Sequence, residues 1–260
     1  MSKSKSNGYT SDTNTDIVVN LDTVSVTRQR APWTSWNKVK QSGVPRANLA
    51  VTEVSPDGAI EPQGYTKEHI QKTVLQQHVD FFDLNRDGVI TPLETYISLR
   101  LLQWGILLSL IATVVIHGGL SWFSLPPEHW LPDPLFRVYV RGINGAKHGS
   151  DTGTYDHEGR FRPQQFGDFF AKYGMNMGDG SWGITYVQTL KGVHGQRCVM
   201  DLFGWFAELF EWTATYLTIW PADGIMRMED VRGVYDGSYF FKVAGDRRQK
   251  YLAGQLSIVL

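Results

Sequence analysis

Apolar side chains recur along this chain with two periods, and the recurrence divides it. From Thr66 to Phe82, Ile70, Val74, Leu75, His78, Phe81 and Phe82 fall on one arc at 100° per residue, predicting an amphipathic helix. A polar stretch, Asp83 to Glu94, follows, and a second helix is predicted to leave it at Pro92, where a missing N–H is tolerated. From Leu101 to Pro127 no charged residue occurs. Within that run WGILLSLIATVVIHGGLSWFSL is long enough to span a bilayer. One face of it is small and weakly polar (Gly105, Ser109, Ala112, Thr113), and His117 with Gly118-Gly119 is expected to interrupt it before the proline cluster Pro126, Pro127, Pro132 and Pro134. It could span, re-enter or lie at an interface, or be a buried helix of a large core. The clearest amphipathic helix covers 201–220. Leu202, Phe203, Trp205, Phe206, Leu209, Phe210, Trp212, Tyr216, Leu217 and Trp220 take one half, and Asp201, Glu208, Glu211 and Thr215 the other. Core packing, a greasy pocket, or shallow lipid contact through Trp205 and Trp212 would each use that face.

The polar stretch carries the chemistry. DLNRDGVITPLE matches D-x-[DN]-x-[DN]-G-x5-E at every specified position. A calcium ion takes six to eight hard oxygens: Asp83, Asn85 and Asp87 offer side chains, Val89 its carbonyl, Thr91 a direct or water-mediated contact, and Glu94 both carboxylate oxygens. Gly88 takes the sharp bend. Ile90 suits a short strand pairing with a second loop. Two decayed echoes, DHEGRFRP at 156–163 and ADGIMRMED at 222–230, are expected to be that loop's structural partners, without metal sets of their own.

The expected organisation is mainly α. A disordered tail (1–22) and an irregular arm (23–65) precede an EF-hand-like helix-loop-helix (66–100), the one intact unit. A hydrophobic lipid-contacting segment with the proline cluster (101–135) follows, then a C-terminal region holding the two degenerate units (136–248) and a tail (249–260). Net charge of −1 argues against nucleic acid as a partner. The single cysteine, Cys198, permits no intrachain disulfide and reads as a small buried apolar residue in a reducing compartment. With no apolar signal-type core in the first thirty residues and no N-x-[ST] acceptor, the cytosolic side is expected. Seven histidines show no zinc spacing. His78 stands on an apolar face and His148 in a Gly-rich polar loop; taken alone, each reads as a structural histidine.

LQQHVDFFDLNRDGVITPLETY, the hydrophobic run with its prolines, KHGSDTGTYDHEGRF, DLFGWFAELFEW and DGSYFF, in that order, resemble the caleosin or peroxygenase family. The likeness runs from about residue 24 to about residue 248. The N-terminal tail is longer and more polar, and the prolines less tidily spaced, than the family's pattern. The resemblance implies a calcium-binding haem protein (haem b) of lipid droplets and the endoplasmic reticulum membrane, on the cytosolic face. It implies transfer of an oxygen atom from a fatty-acid hydroperoxide to an unsaturated fatty acid or another acceptor, and places haem binding and catalysis on His78 and His148. The sequence leaves open which histidine would be the proximal ligand, and whether the protein is a homo-oligomer. A non-catalytic calcium-binding lipid-droplet coat or tether is the alternative, and a calcium sensor a third possibility that a single intact loop disfavours.

Overall fold

The computed structural model describes residues 72–258; the expected tail, the arm, His69, Ile70 and Gln71 lie outside them. Within that range the chain is mostly helical with two small antiparallel sheets. The first helix, α1 (Val74–Asp80), is shorter than the periodicity suggested. Thr73 accepts from the N–H of Gln76 while the Gln76 side chain accepts from the N–H of Thr73, and this reciprocal cap starts the helix there. The polar loop then leads through β1 (Val89–Ile90) to α2 (Pro92–Leu101), whose cap is built the same way from Thr91 and Glu94.

The hydrophobic run is broken at Leu102–Gly105, and its helix α3 (Ile106–Leu120) has 15 residues. At 1.5 Å per residue that is about 22 Å, short of a hydrocarbon core of about 30 Å. No described helix is long and apolar enough to cross a membrane, so the spanning alternative is not realised within these residues. The small face does pack inward as expected: Ser109, Ala112 and Thr113 are buried against the protein. His117 and Gly118-Gly119 do not interrupt the helix, which runs on to Leu120. His117 is buried with both ring nitrogens bonded, Nε2 to Thr95 Oγ1 at 2.8 Å and Nδ1 to the Phe136 carbonyl at 2.6 Å, so it ties α2, α3 and the proline loop together.

After the prolines, β2 (Val138–Tyr139) pairs with β1 in the register Val89↔Tyr139 and Ile90↔Val138. A 3-10 turn (Val140–Ala146) precedes the polar loop of His148. Then come α4 (Pro163–Tyr173), β3 (Met175–Asn176), β4 (Trp182–Thr185), α5 (Tyr186–Gly195), α6 (Leu202–Ile219), β5 (Ile225–Arg227), α7 (Met228–Tyr235) and α8 (Ser238–Leu252). The two echoes are not the partners the sequence suggested. The strand of the second, β5, pairs with β4, which lies in neither echo. The first echo instead forms a turn closed by the buried Arg160–Asp156 pair at 2.7 Å. Its Gly159, at φ +77°, lies so close under α1 that a Cβ would stand 2.9 Å from that of Leu75, and its carbonyl accepts from the Leu75 N–H.

Two adjacent arginines of α8 fix the helix-loop-helix from behind. Arg247 Nε donates to the Leu101 carbonyl at the end of α2. Arg248, buried, donates to the Phe81 and Asp83 carbonyls where α1 gives way to the loop.

Candidate functional site

Two places assemble functional side chains: the acidic loop and a cavity behind it. In the loop, Asp83 and Glu94 are buried. Asp83 accepts from the N–H groups of Asp87 and Gly88, the latter at φ +81°. Glu94 Oε1 accepts from the N–H groups of Leu84 and Asn85, and its Oε2 from the N–H and hydroxyl of Thr91. Burial, together with the charges of Asp87 and Glu94, holds the Asp83 carboxyl above its usual range, against the lowering effect of the Gly88 N–H. A cation would relieve that repulsion, so the donor set suits calcium. Among the described residues, however, no three His, Cys, Asp or Glu side chains converge as a metal-holding group. The loop oxygens are turned to backbone N–H groups, as they stand.

The cavity, about 280 Å³, lies between α1, α3, α6 and α7 and is mostly apolar. It brings His78 and His148 together, 70 residues apart in the chain. His78 comes from α1 and His148 from the loop after the 3-10 turn, and both line it. The Nδ1–H of His78 donates to the Val234 carbonyl at 2.6 Å, which fixes its tautomer and leaves Nε2 with its lone pair free. Burial lowers the His78 pKa, outweighing Val234 and Glu211, so the ring is neutral. Phe240 stands edge-on to it at 5.3 Å.

His148 is the opposite case. Burial works against its charged form, but Glu211, at 3.3 Å from Nε2, together with Asp151 and Asp201, outweighs burial and raises the pKa. Its Nδ1 is buried with no hydrogen-bond partner. Lys147 and Asp151 form an ion pair at 2.7 Å beside it, on the cavity wall. A neutral imidazole with a free, pre-oriented nitrogen among apolar walls fits an axial metal ligand, since such ligands usually donate their other N–H to a carbonyl or carboxylate. The orphaned Nδ1 of the second ring faces no protein partner. The pair therefore fits a metal-centred apolar group such as haem.

The sequence reading missed Glu211, Glu208 and the Val234 carbonyl. It put Glu208 and Glu211 on the polar half of α6, with no role for either. In fact Glu208 is 1 % exposed with both oxygens unpartnered, and burial pushes its carboxyl up to about 8. Glu211 and Thr215 line the cavity. Leu202, Phe206 and Leu209 of the apolar half are exposed instead. Trp212 is buried and lines the cavity, while the Trp205 indole N–H donates to the Cys198 carbonyl. Cys198 is exposed rather than buried, its thiol donating to the Gly149 carbonyl at 3.2 Å.

Comparison with known proteins bears on what this pairing serves. The family model described as Caleosin related protein matches residues 70–244, spanning the acidic loop, both histidines and the cavity. The chain belongs to the caleosin family. It is 34 % identical over 244 residues to a peroxygenase of Lilium longiflorum, covering 94 % of this chain and 98 % of that one. It is 36 % identical over 179 residues to probable peroxygenase 4 of Arabidopsis thaliana, covering 68 % and 88 %. A probable inactive peroxygenase-like protein of Arabidopsis thaliana is 31 % identical over 104 residues, 40 % of this chain and 49 % of that one. No solved structure matches. Within this caleosin the described residues present the two family-motif histidines to a single cavity.

Proposed function

We propose that this caleosin is a calcium-dependent haem peroxygenase, moving one oxygen atom from a fatty-acid hydroperoxide to an unsaturated fatty acid or a similar acceptor at a lipid surface. The observation that carries the reading is the shared cavity, with a neutral, carbonyl-anchored His78 and a carboxylate-paired His148 on its wall. The relatives named peroxygenase support the reaction class. Haem, when bound, would supply the redox chemistry for peroxide activation and oxygen transfer. His78 Nε2 is the nitrogen free to hold the iron. His148, held through Nε2 by Glu211 and with Nδ1 free of any protein partner, would carry the hydroperoxide proton from the terminal oxygen to the departing alkoxyl oxygen, which leaves as a fatty alcohol. Trp212, Phe210 and Phe240 line the remaining wall and keep water from the acyl chain. Calcium on Asp83, Asn85, Asp87, Val89, Thr91 and Glu94 would order the segment immediately after α1 and hence His78. The exposed apolar face of α3 supports peripheral attachment to a lipid surface, which in this reading is a lipid droplet or the endoplasmic reticulum.

That same face also favours a second reading, a non-catalytic coat. The visible spectrum separates the two. Full-length protein expressed with hemin should show a Soret band, lost in His78→Val and weakened or shifted in His148→Val, with hydroperoxide-dependent epoxidation lost in both. A colourless protein that still coats droplets would sink the enzyme reading.

A further inference from the structure

The cavity has a mouth, and its position follows from two properties of the same side chains. Of the residues lining the cavity, Phe203, Phe206 and Glu211 are also exposed, and all three stand on α6. Opposite them, Ile116 and Gly119 of α3 line the same cavity. A Cβ at Gly119 would stand 3.6 Å from the Phe203 ring, at van der Waals distance, so α3 and α6 come close there and a large side chain at 119 would fill the space between them. Phe123, just after α3, packs on Phe203 with ring centroids 5.6 Å apart.

The surface around that mouth is apolar on both sides. On α3, Leu107 is 70 % and Val114 73 % exposed, with Ile111 between them. On α6, Leu202 and Leu209 flank Phe206, which is 56 % exposed. Exposed apolar side chains on both helices, with Glu211 the one charged group among the three exposed residues of the mouth, mark a site of association. A lipid layer is the occupant the details favour. No charged residue lies between Leu101 and Pro127, and α3 is too short to cross but suited to lie in the interface. Trp122 and Trp130 are exposed beside it, where indoles favour a lipid–water boundary, and Arg197 stands over Trp205 near the α6 entrance, suited to a phosphate headgroup.

We propose that the gap between α3 and α6 is a portal through which acyl chains pass from the lipid layer directly into the cavity, with Phe203 and Phe206 as its threshold. This rests on the lipid-surface reading above and adds the route. The chain enters between the helices, and Lys147, His148, Asp151 and Glu211 are among the polar residues of the cavity wall it meets. Substrate then never crosses water, and selection acts on chains already dissolved in lipid.

The test labels single cysteines with the fluorophore NBD in full-length Cys198→Ser protein, at Phe206→Cys, Val114→Cys and Asp179→Cys in the polar β3–β4 turn. These are mixed with phosphatidylcholine vesicles carrying brominated chains. Quenching at 114 and 206 with none at 179 is expected. Quenching at 114 alone would overturn the portal while leaving the lipid-surface reading standing; no quenching at either would overturn both. A probe at 206 already shielded without vesicles, in a concentration-dependent way, would assign the face to a second copy and overturn the portal. In a second arm, Gly119→Phe narrows the gap, and capture of spin-labelled stearic acid from vesicles is followed by electron paramagnetic resonance. Roughly tenfold slower capture with unchanged final occupancy is expected. An unchanged rate would overturn the route.

Discussion

His78 and His148 are the same residue type in one cavity, and their neighbours push them apart. Burial among aromatic rings keeps the first neutral, against the opposing pull of the Val234 carbonyl and Glu211. For a buried neutral histidine the unfolded chain binds protons first, so its contribution to stability is lost as pH falls below about 6.5. For His148 the sign reverses: its stabilising contribution is full below about 6.5 and is lost as pH rises through the higher folded value. Glu211→Gln leaves burial opposed only by Asp151 and Asp201, so the His148 pKa should drop below its ordinary value; a two-dimensional NMR titration of the imidazole reads this directly. Glu208 is a third case. Folded it stays protonated to about pH 8, whereas unfolded it ionises near 4.5, so it draws stability away as pH rises between them. Glu208→Gln should flatten that decline and raise the melting temperature at pH 8 by roughly 2 °C or more, measured by calorimetry. Little of this was legible in the sequence. The two histidines could be named by motif, but what distinguishes them is a carbonyl 156 residues away and a carboxylate 63 residues away, and neither contact leaves a local pattern.

At the scale of elements, caps and loops were legible and pairings were not. Thr73-x-x-Gln76 and Thr91-x-x-Glu94 are local signals, and both form reciprocal caps. Because the period alone ignores caps, it carried α1 several residues too far. Strand partners were lost for another reason: two- and four-residue strands carry almost no alternation to read. The acidic loop makes its own prediction. Calcium at about one hundred times its dissociation constant should add about 2.7 kcal/mol, several degrees in melting temperature, and Glu94→Ala should abolish the increment; an unchanged melting curve in the parent protein would count against calcium at this site. In α7, Arg232 and Asp236 are each 1 % exposed and joined at 3.0 Å. Arg232→Ala strands the carboxylate in the core and should cost about 3–5 kcal/mol, read from denaturant unfolding.

Taken whole, the molecule seats α6 with its greasy half partly outward, Glu208 buried and Glu211 at the cavity mouth. Periodicity gave the helix and its two halves, yet it cannot say which side chains of each half meet the protein, since Glu208 is buried while Leu202, Phe206 and Leu209 are exposed. Leu107→Asp with Val114→Asp should abolish flotation with vesicles while moving the melting temperature by no more than about 1–2 °C, since exposed positions change stability by about 0.5 kcal/mol or less.

The arginine pair at 247 and 248 sets a limit on what an ion could do. Carbonyls at the end of α2 and at the start of the loop are both held by α8, which opposes the two flanking helices swinging apart to bare a groove. Ion arrival would stiffen the hinge rather than open it, and a hydrophobic dye such as ANS should brighten no further when calcium is added. If calcium binds the acidic loop as proposed, it would serve as a brace and not as a trigger.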